Sequence, residues 1–270
     1  MSEKLSLPEP PALAEEVFKA LEDKVALPVG AMILLGVLAG VYVGLGGLFA
    51  TVVLAGAEGL PHGAGQLLAG LVFSVGLALV LIAGAELFTG NMLMVGPLAA
   101  GRVRLPNVLA SLGIVYCANL VGSLLLAALV LAAGVHESSG GAVGQAAMDL
   151  GATKTGNSLL TTLCSAVLAN MLVCLAVWMG YAGRTITQKI AGILLPVAAF
   201  VAAGLEHSVA NMYLLPYALM VQNATGNMEA AVSVASIMAN LVPATLGNVL
   251  GGALVALAYW YAFIRPAPHS

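Results

Sequence analysis

The sequence predicts an all-α polytopic membrane protein: six transmembrane helices in an inverted 3+3 repeat, with the second and fifth helices broken. Three observations predict it. Of 270 residues, 61% are hydrophobic and 8% charged, where soluble domains carry about 25% charged residues. Uncharged apolar runs recur along the chain, and about 20 such residues suffice for one bilayer crossing. The octet Gly84 to Asn91 (GAELFTGN) is echoed 120 residues later by Gly204 to Asn211 (GLEHSVAN), with Gly, Glu and Asn at the same three offsets. Each octet sets a carboxylate inside an apolar run. Charge at that depth is costly and faces a protein interior or a water-filled path.

Taken in order, residues 1–27 form a polar, proline-rich tail followed by an amphipathic helix. Leu13, Val17 and Leu21 recur at four-residue spacing among Glu15, Glu16, Lys19, Glu22 and Asp23. That pattern predicts a helix lying on the membrane surface or against a neighbouring subunit. Pro28 to Leu54 is the first span, and Gly36, Gly40 and Gly44 give it a close-packing face. Glu58 to His62 is a turn. Gly63 to Gly101 is 39 residues long with one charge, Glu86; as a straight helix it would run about 58 Å, against a hydrocarbon core of about 30 Å. The break falls at Glu86 to Asn91, where Thr, Gly and Asn are poor helix-interior residues. Backbone of that kind is tolerated only when buried in protein or lining a cavity.

Leu105 to Val135 is the third span and contains Asn119. His136 to Gly156 is the longest polar connection, with Glu137, Asp149 and Lys154. Asn157 to Gly183 is the fourth span, with Asn170 inside. Ile190 to Gln222 repeats the overlong pattern and is interrupted at Glu206-His207. Asn223 to Ala230 is a polar turn, Ser236 to Ile264 the last span, and 265–270 a short tail. The six-helix domain is therefore 28–264, with repeats at about 28–135 and 157–264. The strings Ala118-Asn119-Leu120-Val121 and Ala239-Asn240-Leu241-Val242 recur at an offset of 121.

With both termini inside, inner segments hold Lys4, Lys19, Lys24, Arg102, Arg104, Arg184, Lys189 and Arg265, and outer loops hold only Lys154. This bias follows the positive-inside rule and sets the orientation expected here. The N-terminal stretch has no apolar signal core. Net charge of −3 gives no reason to expect nucleic acid. Cys117, Cys164 and Cys174 lie in apolar runs without paired or metal-like spacing and are expected to be buried hydrophobes. Two inverted halves with broken helices are a design for a substrate path near the midplane. An intramembrane enzyme using His207 and Ser208 is the competing class. Adjacent residues on one helix make a poor base–nucleophile pair, however, and no Gly-x-Ser-x-Gly elbow surrounds Ser208. Glu86 and Glu206 lack the His or Cys companions of a metal site, so neither metal nor cofactor is expected.

The chain resembles the formate/nitrite transporter family, and its formate-channel branch in particular. The resemblance rests on Phe73 to Leu77, Gly84 to Asn91, Ala169 to Met179, Leu195 to Phe200, Gly204 to Met212 and Asn240 to Gly252, and covers nearly all of 28–264. The EHSxANM string at 206–212 is its most specific motif. The resemblance implies an aquaporin-like protomer with its own pore, assembled as a homopentamer in the lipid of the bacterial plasma (inner) membrane. It implies transport of a small monovalent anion: formate, nitrite or hydrosulfide, by a channel or a proton-coupled carrier. Trp178 to Arg184 leans toward formate. Aquaporin itself is excluded as a close relative, since Asn91 and Asn211 are each followed by Met, not Pro-Ala.

The resemblance also implies site roles. Thr89 and His207 face each other at the pore centre, the hydroxyl as donor or acceptor and the imidazole as a group able to hold or pass a proton. Phe73 and Leu77 form the inner constriction and Phe200 the outer one, with Leu87 and Phe88 beside the first break. Lys154 supplies positive potential at the outer mouth, and Asn170 and Asn248 line or anchor the pore. Glu86 and Glu206 are expected to be structural, accepting backbone N–H bonds that hold the breaks open.

Overall fold

The computed structural model describes residues 6–57, 59–227 and 232–265. Lys4, Glu58, residues 228–230 of the expected polar turn, Ala231 and the tail 266–270 lie outside the described residues. The described chain is helical: α1 (Pro10–Val25), α2 (Val29–Ala55), α3 (His62–Ala83), α4 (Phe88–Asn91), a 3₁₀ turn Met92–Met94, α5 (Val95–Ala99), α6 (Leu105–Ala132), a 3₁₀ turn Val135–Glu137, α7 (Ala142–Thr155), α8 (Leu159–Ala182), α9 (Ile186–Ala202), α10 (Ser208–Thr225) and α11 (Val234–Tyr259), which ends in a π turn Trp260–Ile264. Five of these are long and apolar enough to cross a membrane: α2, α3, α6, α8 and α11 with its π turn. The two overlong segments are each split, α3 from α4–α5 and α9 from α10.

Helix ends follow their sequence signals. Prolines at 10 and 11 open α1 with φ pre-set for a helix. Ser158 caps α8 by accepting the Thr161 N–H at 3.1 Å, and Thr185 with Gln188 closes a capping box on α9. α2 packs on α6 and α3, α8 packs on α11 and α9, and α3 crosses α9 at the centre. The glycine stripe of α2 faces α6. At Gly40 an added Cβ would run into the Asn119 carbonyl, so only glycine lets the two backbones approach this closely.

Three features differ from expectation. The polar connection 136–156 is largely the amphipathic helix α7, closed by Lys154 in its last turn. α1 buries Leu13, Ala14, Val17, Phe18 and Leu21 against α5, α8 and the π turn of its own chain, and not against lipid or a neighbouring subunit. Of the cysteines, Cys117 and Cys164 are exposed on the outer faces of their helices, and only Cys174 is buried.

The docking of α1 is mainly apolar. Its Phe18 ring lies where a Cβ at Gly96 would sit, 2.6 Å from ring atom Cε1. Arg102 adds a bidentate pair with Glu15 (2.7 and 3.0 Å), and Arg184 reaches Glu16 at 2.8 Å. These exposed pairs contribute about 0–1 kcal/mol each. A fully buried large apolar side chain contributes about 1.5–3 kcal/mol, so the apolar face holds the helix and the arginines set its register.

The inverted repeat is larger than the sequence suggested. α1 and α7 occupy equivalent places at opposite ends of the bundle: α1 touches α5, α8 and the end of α11, while α7 touches α10, α2 and the turn after α6. Each half therefore begins with its amphipathic helix, not with its first long span.

Candidate pore and its two broken helices

Both breaks are built alike. Gly84 (φ +82°) and Gly204 (φ +66°) end their helices in the left-handed conformation, which glycine adopts without the penalty a Cβ brings. The Ala85 N–H then bonds back to the Val80 carbonyl at 2.8 Å, and the Leu205 N–H to the Phe200 carbonyl at 3.0 Å. Four residues on, the chain re-enters a helix.

The irregular backbone between donates the Glu86 N–H to the Leu35 carbonyl at 3.2 Å and the Glu206 N–H to Ser165 Oγ at 3.1 Å, and one asparagine per half satisfies the glutamate carbonyl and the next helix's first N–H. Asn119 Nδ2 donates to the carbonyls of Gly36 (2.8 Å) and Glu86 (2.9 Å), and its Oδ1 accepts the Phe88 N–H at 2.9 Å. Asn248 Nδ2 donates to Ala166 (2.8 Å) and Glu206 (3.0 Å), and its Oδ1 accepts the Ser208 N–H at 2.8 Å. Both side chains are fully buried. Three bonds from one amide replace the water that irregular backbone would need at this depth.

The glutamate carboxylates are held differently from expectation. They accept side-chain amides and an ammonium, not backbone N–H groups. Glu86 takes Asn91 at 2.7 Å and Lys24 at 2.6 Å. Glu206 takes Asn211 at 2.6 Å, Asn157 at 3.2 Å, Asn240 at 3.3 Å and Lys154 at 3.2 Å. Lys24 closes α1 as Lys154 closes α7, so each mouth carries one Lys–Glu–Asn set. Pairing and hydrogen bonding are what make a buried carboxylate tolerable.

Between the breaks, Thr89 Oγ1 and His207 Nε2 stand 2.8 Å apart. His207 is also the cap of α10, its Nδ1 accepting the Ala210 N–H at 3.1 Å. A nitrogen that accepts carries no proton, so the neutral ring must be protonated on Nε2. Nε2–H therefore donates to the Thr89 oxygen and leaves the threonine's own hydrogen free for another acceptor. The Thr89 carbonyl is held by Asn170 Nδ2 at 3.2 Å, and the same amide donates to the Asn248 carbonyl at 2.6 Å.

Apolar residues close this centre from both sides. Phe73 and Phe200 meet edge to face at 5.5 Å, and Phe200 lies 5.8 Å from the His207 ring. Both phenylalanines line a cavity of about 260 Å³ that opens toward Lys154, Asn157 and Gln66. Phe73, Leu77, Leu87, Phe200 and His207 share a central void of only about 10 Å³. Beyond it, Leu87 and Val80 lead to Lys24 and Tyr181.

The Formate/nitrite transporter family model matches residues 11–261. The chain belongs to the formate/nitrite transporter family. It is 35% identical over 248 residues to formate channel FocA of Escherichia coli K12, covering 87% of each chain. It is 40% identical over 261 residues to a probable formate transporter of Methanothermobacter thermautotrophicus, covering 90% of this chain and 93% of that one. Among solved structures, a pentameric formate channel with formate bound matches at TM-score 0.81 and 36% identity, covering 88% of this chain and 98% of that one.

Within this formate/nitrite transporter chain, His207, Phe200, Leu77, Leu87 and Lys154 line these adjoining spaces, Thr89 stands behind His207 at 2.8 Å and lines none of them, and two expected positions shift. Phe73 shares the central void with Leu77 but, unlike Leu77, packs on Phe200 of α9 and lines the Lys154-side cavity with it. Phe88 turns away to pack edge-on against Tyr116 of α6 at 4.9 Å and lines none of these three cavities. Asn170 and Asn248 anchor the first break and the second, with their amides spent on backbone. Sequence reasoning missed Lys24 and Asn119 as site components, although Lys24 precedes Lys154 by 130 residues and Asn119 precedes Asn248 by 129.

Proposed function

We propose that this multi-pass membrane protein carries formate through a pore in each protomer of a homopentamer in the bacterial plasma membrane, with both termini cytoplasmic. The Thr89–His207 contact between the two apolar closures carries this reading. An apolar ring strongly opposes a bare anion. A carboxylate that meets the free Thr89 hydrogen there regains a charge-assisted hydrogen bond at the point of greatest dehydration. His207 fixes that hydrogen's direction by donating to the threonine oxygen. The arrangement favours hydrogen-bond donation over proton transfer, since a neutral Nε2–H imidazole is a very weak acid and charging it requires breaking the Nδ1 bond to Ala210. Proton coupling, where it occurs, then comes from formate crossing as the acid.

The excess of Lys and Arg on the Lys24 side supports its assignment to the cytoplasm. Lys154 lies on the opposite, outer side, where its ammonium, already paired with Glu206 at 3.2 Å, offers its remaining hydrogens to an anion near the Phe73–Phe200 closure. Reconstituted protein should pass formate faster than nitrite, hydrosulfide or chloride in a competition series at two pH values. Chloride flux equal to formate flux would contradict the proposal, and nitrite or hydrosulfide outrunning formate would reassign the substrate within the family.

A further inference from the structure

The two mouths of the pore differ in charge. At the Lys154 mouth the ionised groups lining the cavity are Lys154 and Glu206, which sum to zero with the histidines neutral. At the Lys24 mouth a cavity of about 110 Å³ is lined by Lys24, Glu86, Tyr181 and Lys189. Lys24 and Glu86 neutralise each other at 2.6 Å. Lys189 has no ion-pair or hydrogen-bond partner among the described residues, which leaves this mouth with one uncompensated positive charge.

Lys189 is held there by its backbone. It sits in the first turn of α9, its N–H donating to the Thr185 carbonyl at 3.0 Å. A Cβ at Gly183 would lie 2.7 Å from the Lys189 nitrogen and 2.9 Å from its Cγ, so glycine there lets the lysine root press against the end of α8. Tyr181 lines the same cavity, and its hydroxyl has no hydrogen-bond partner among the described residues. This cavity shares Lys24, Val80, Leu81, Ala85 and Tyr181 with the space that reaches Leu87, so it leads directly to the central closure.

We propose that Lys189, which shares this cavity with Tyr181, is an anion-capture site at the Lys24 mouth for the small monovalent carboxylate that the pore carries. The assignment rests on the transport reading above. An unpaired ammonium in a confined mouth raises the local anion concentration and steers entry. Lys24 cannot do so equally, because its charge is spent on Glu86. The pore is thereby asymmetric, with a net cation at one entrance and a neutral pair at the other.

The test measures the half-saturating formate concentration from each side of oriented proteoliposomes holding the full-length protein. At about 0.01 M salt, where screening extends roughly 30 Å, Lys189→Gln should raise the value on the Lys24 side about threefold and leave the other side unchanged. Lys189→Glu should raise it further, Lys189→Arg should keep it near wild type, and Tyr181→Phe should give a smaller rise on the same side. At about 1 M salt, where screening falls to roughly 3 Å, the charge-dependent differences should vanish. Arg and Glu variants behaving alike, or a Gln variant indistinguishable from wild type at low salt, would overturn the assignment while leaving transport intact. Wild-type protein passing no formate from either side would overturn both.

Discussion

Asn119 and Asn248 are the same residue of the repeat seen in opposite halves. Each donates to the carbonyl of a break glutamate and to a carbonyl on the neighbouring long helix, and each accepts the first amide of the helix beyond the break. The irregular backbone that makes the path is therefore braced by one amide per half.

Asn119→Ala and Asn248→Ala should destabilise the protein similarly. Each leaves the buried carbonyl of a break glutamate and one buried N–H without partners, at about 1–3 kcal/mol per unsatisfied group. A drop in thermal unfolding temperature of several degrees or more, measured in detergent, is the expected outcome. A wild-type melting curve for either variant would refute the bracing role.

Lys154→Met should lower both stability and flux, since it strands a buried carboxylate at a cost of about 3–5 kcal/mol. The double change Lys154→Met with Glu206→Gln separates the two effects. It removes the stranded charge, so melting should recover most of the loss. Formate flux should stay low, because the ammonium that donates to the anion at that mouth is gone. Recovery of flux along with stability would assign Lys154 a purely structural role.

The clamp on α1 has a defined pH range. The Arg102 guanidinium holds the Glu15 carboxyl below the ordinary value of 4.5, and Arg184 does the same for Glu16. A carboxylate depressed in the folded state stabilises fully above its unfolded pKa, and the stabilisation is lost as pH falls through the folded value. Both pairs therefore persist at pH 5.5 and weaken only below about 4.5. Hydrogen exchange of residues 10–25, corrected for intrinsic rate, should be unchanged between pH 7 and 5.5 and rise near pH 4. A rise already at pH 5.5 would show that another group controls the helix.

Much of this architecture was legible in the chain itself. Composition and run length marked the spans, and the octets located both breaks within a few residues. The breaks begin at Gly84 and Gly204, earlier than the polar residues suggested, because left-handed glycine ends the helix and Phe88 to Asn91 already belong to the next one. The partnership of Asn119 was misread: its string matches Asn240, yet its structural counterpart is Asn248. String similarity follows neighbouring apolar residues, whereas the brace is fixed by where α6 and α11 cross the breaks. Phe73 was misplaced for a related reason. The resemblance pairs it with Leu77 at the inner constriction, whereas its packing on Phe200 of α9 carries it to the Lys154-side cavity. Lys24 was hidden because its amphipathic helix reads as a surface element until its burial is seen.

The central claim is that the Thr89 hydroxyl, aimed by His207, is the group that meets the anion between the two apolar closures. Formate flux through Thr89→Val and Thr89→Ser proteins in liposomes tests it most directly, because valine preserves volume while removing the hydroxyl. Loss of one hydrogen bond to a charged group, about 1.5–3 kcal/mol, predicts a fall of roughly 10- to 100-fold for valine with assembly intact, and near wild-type flux for serine. Wild-type flux through the valine protein would contradict it.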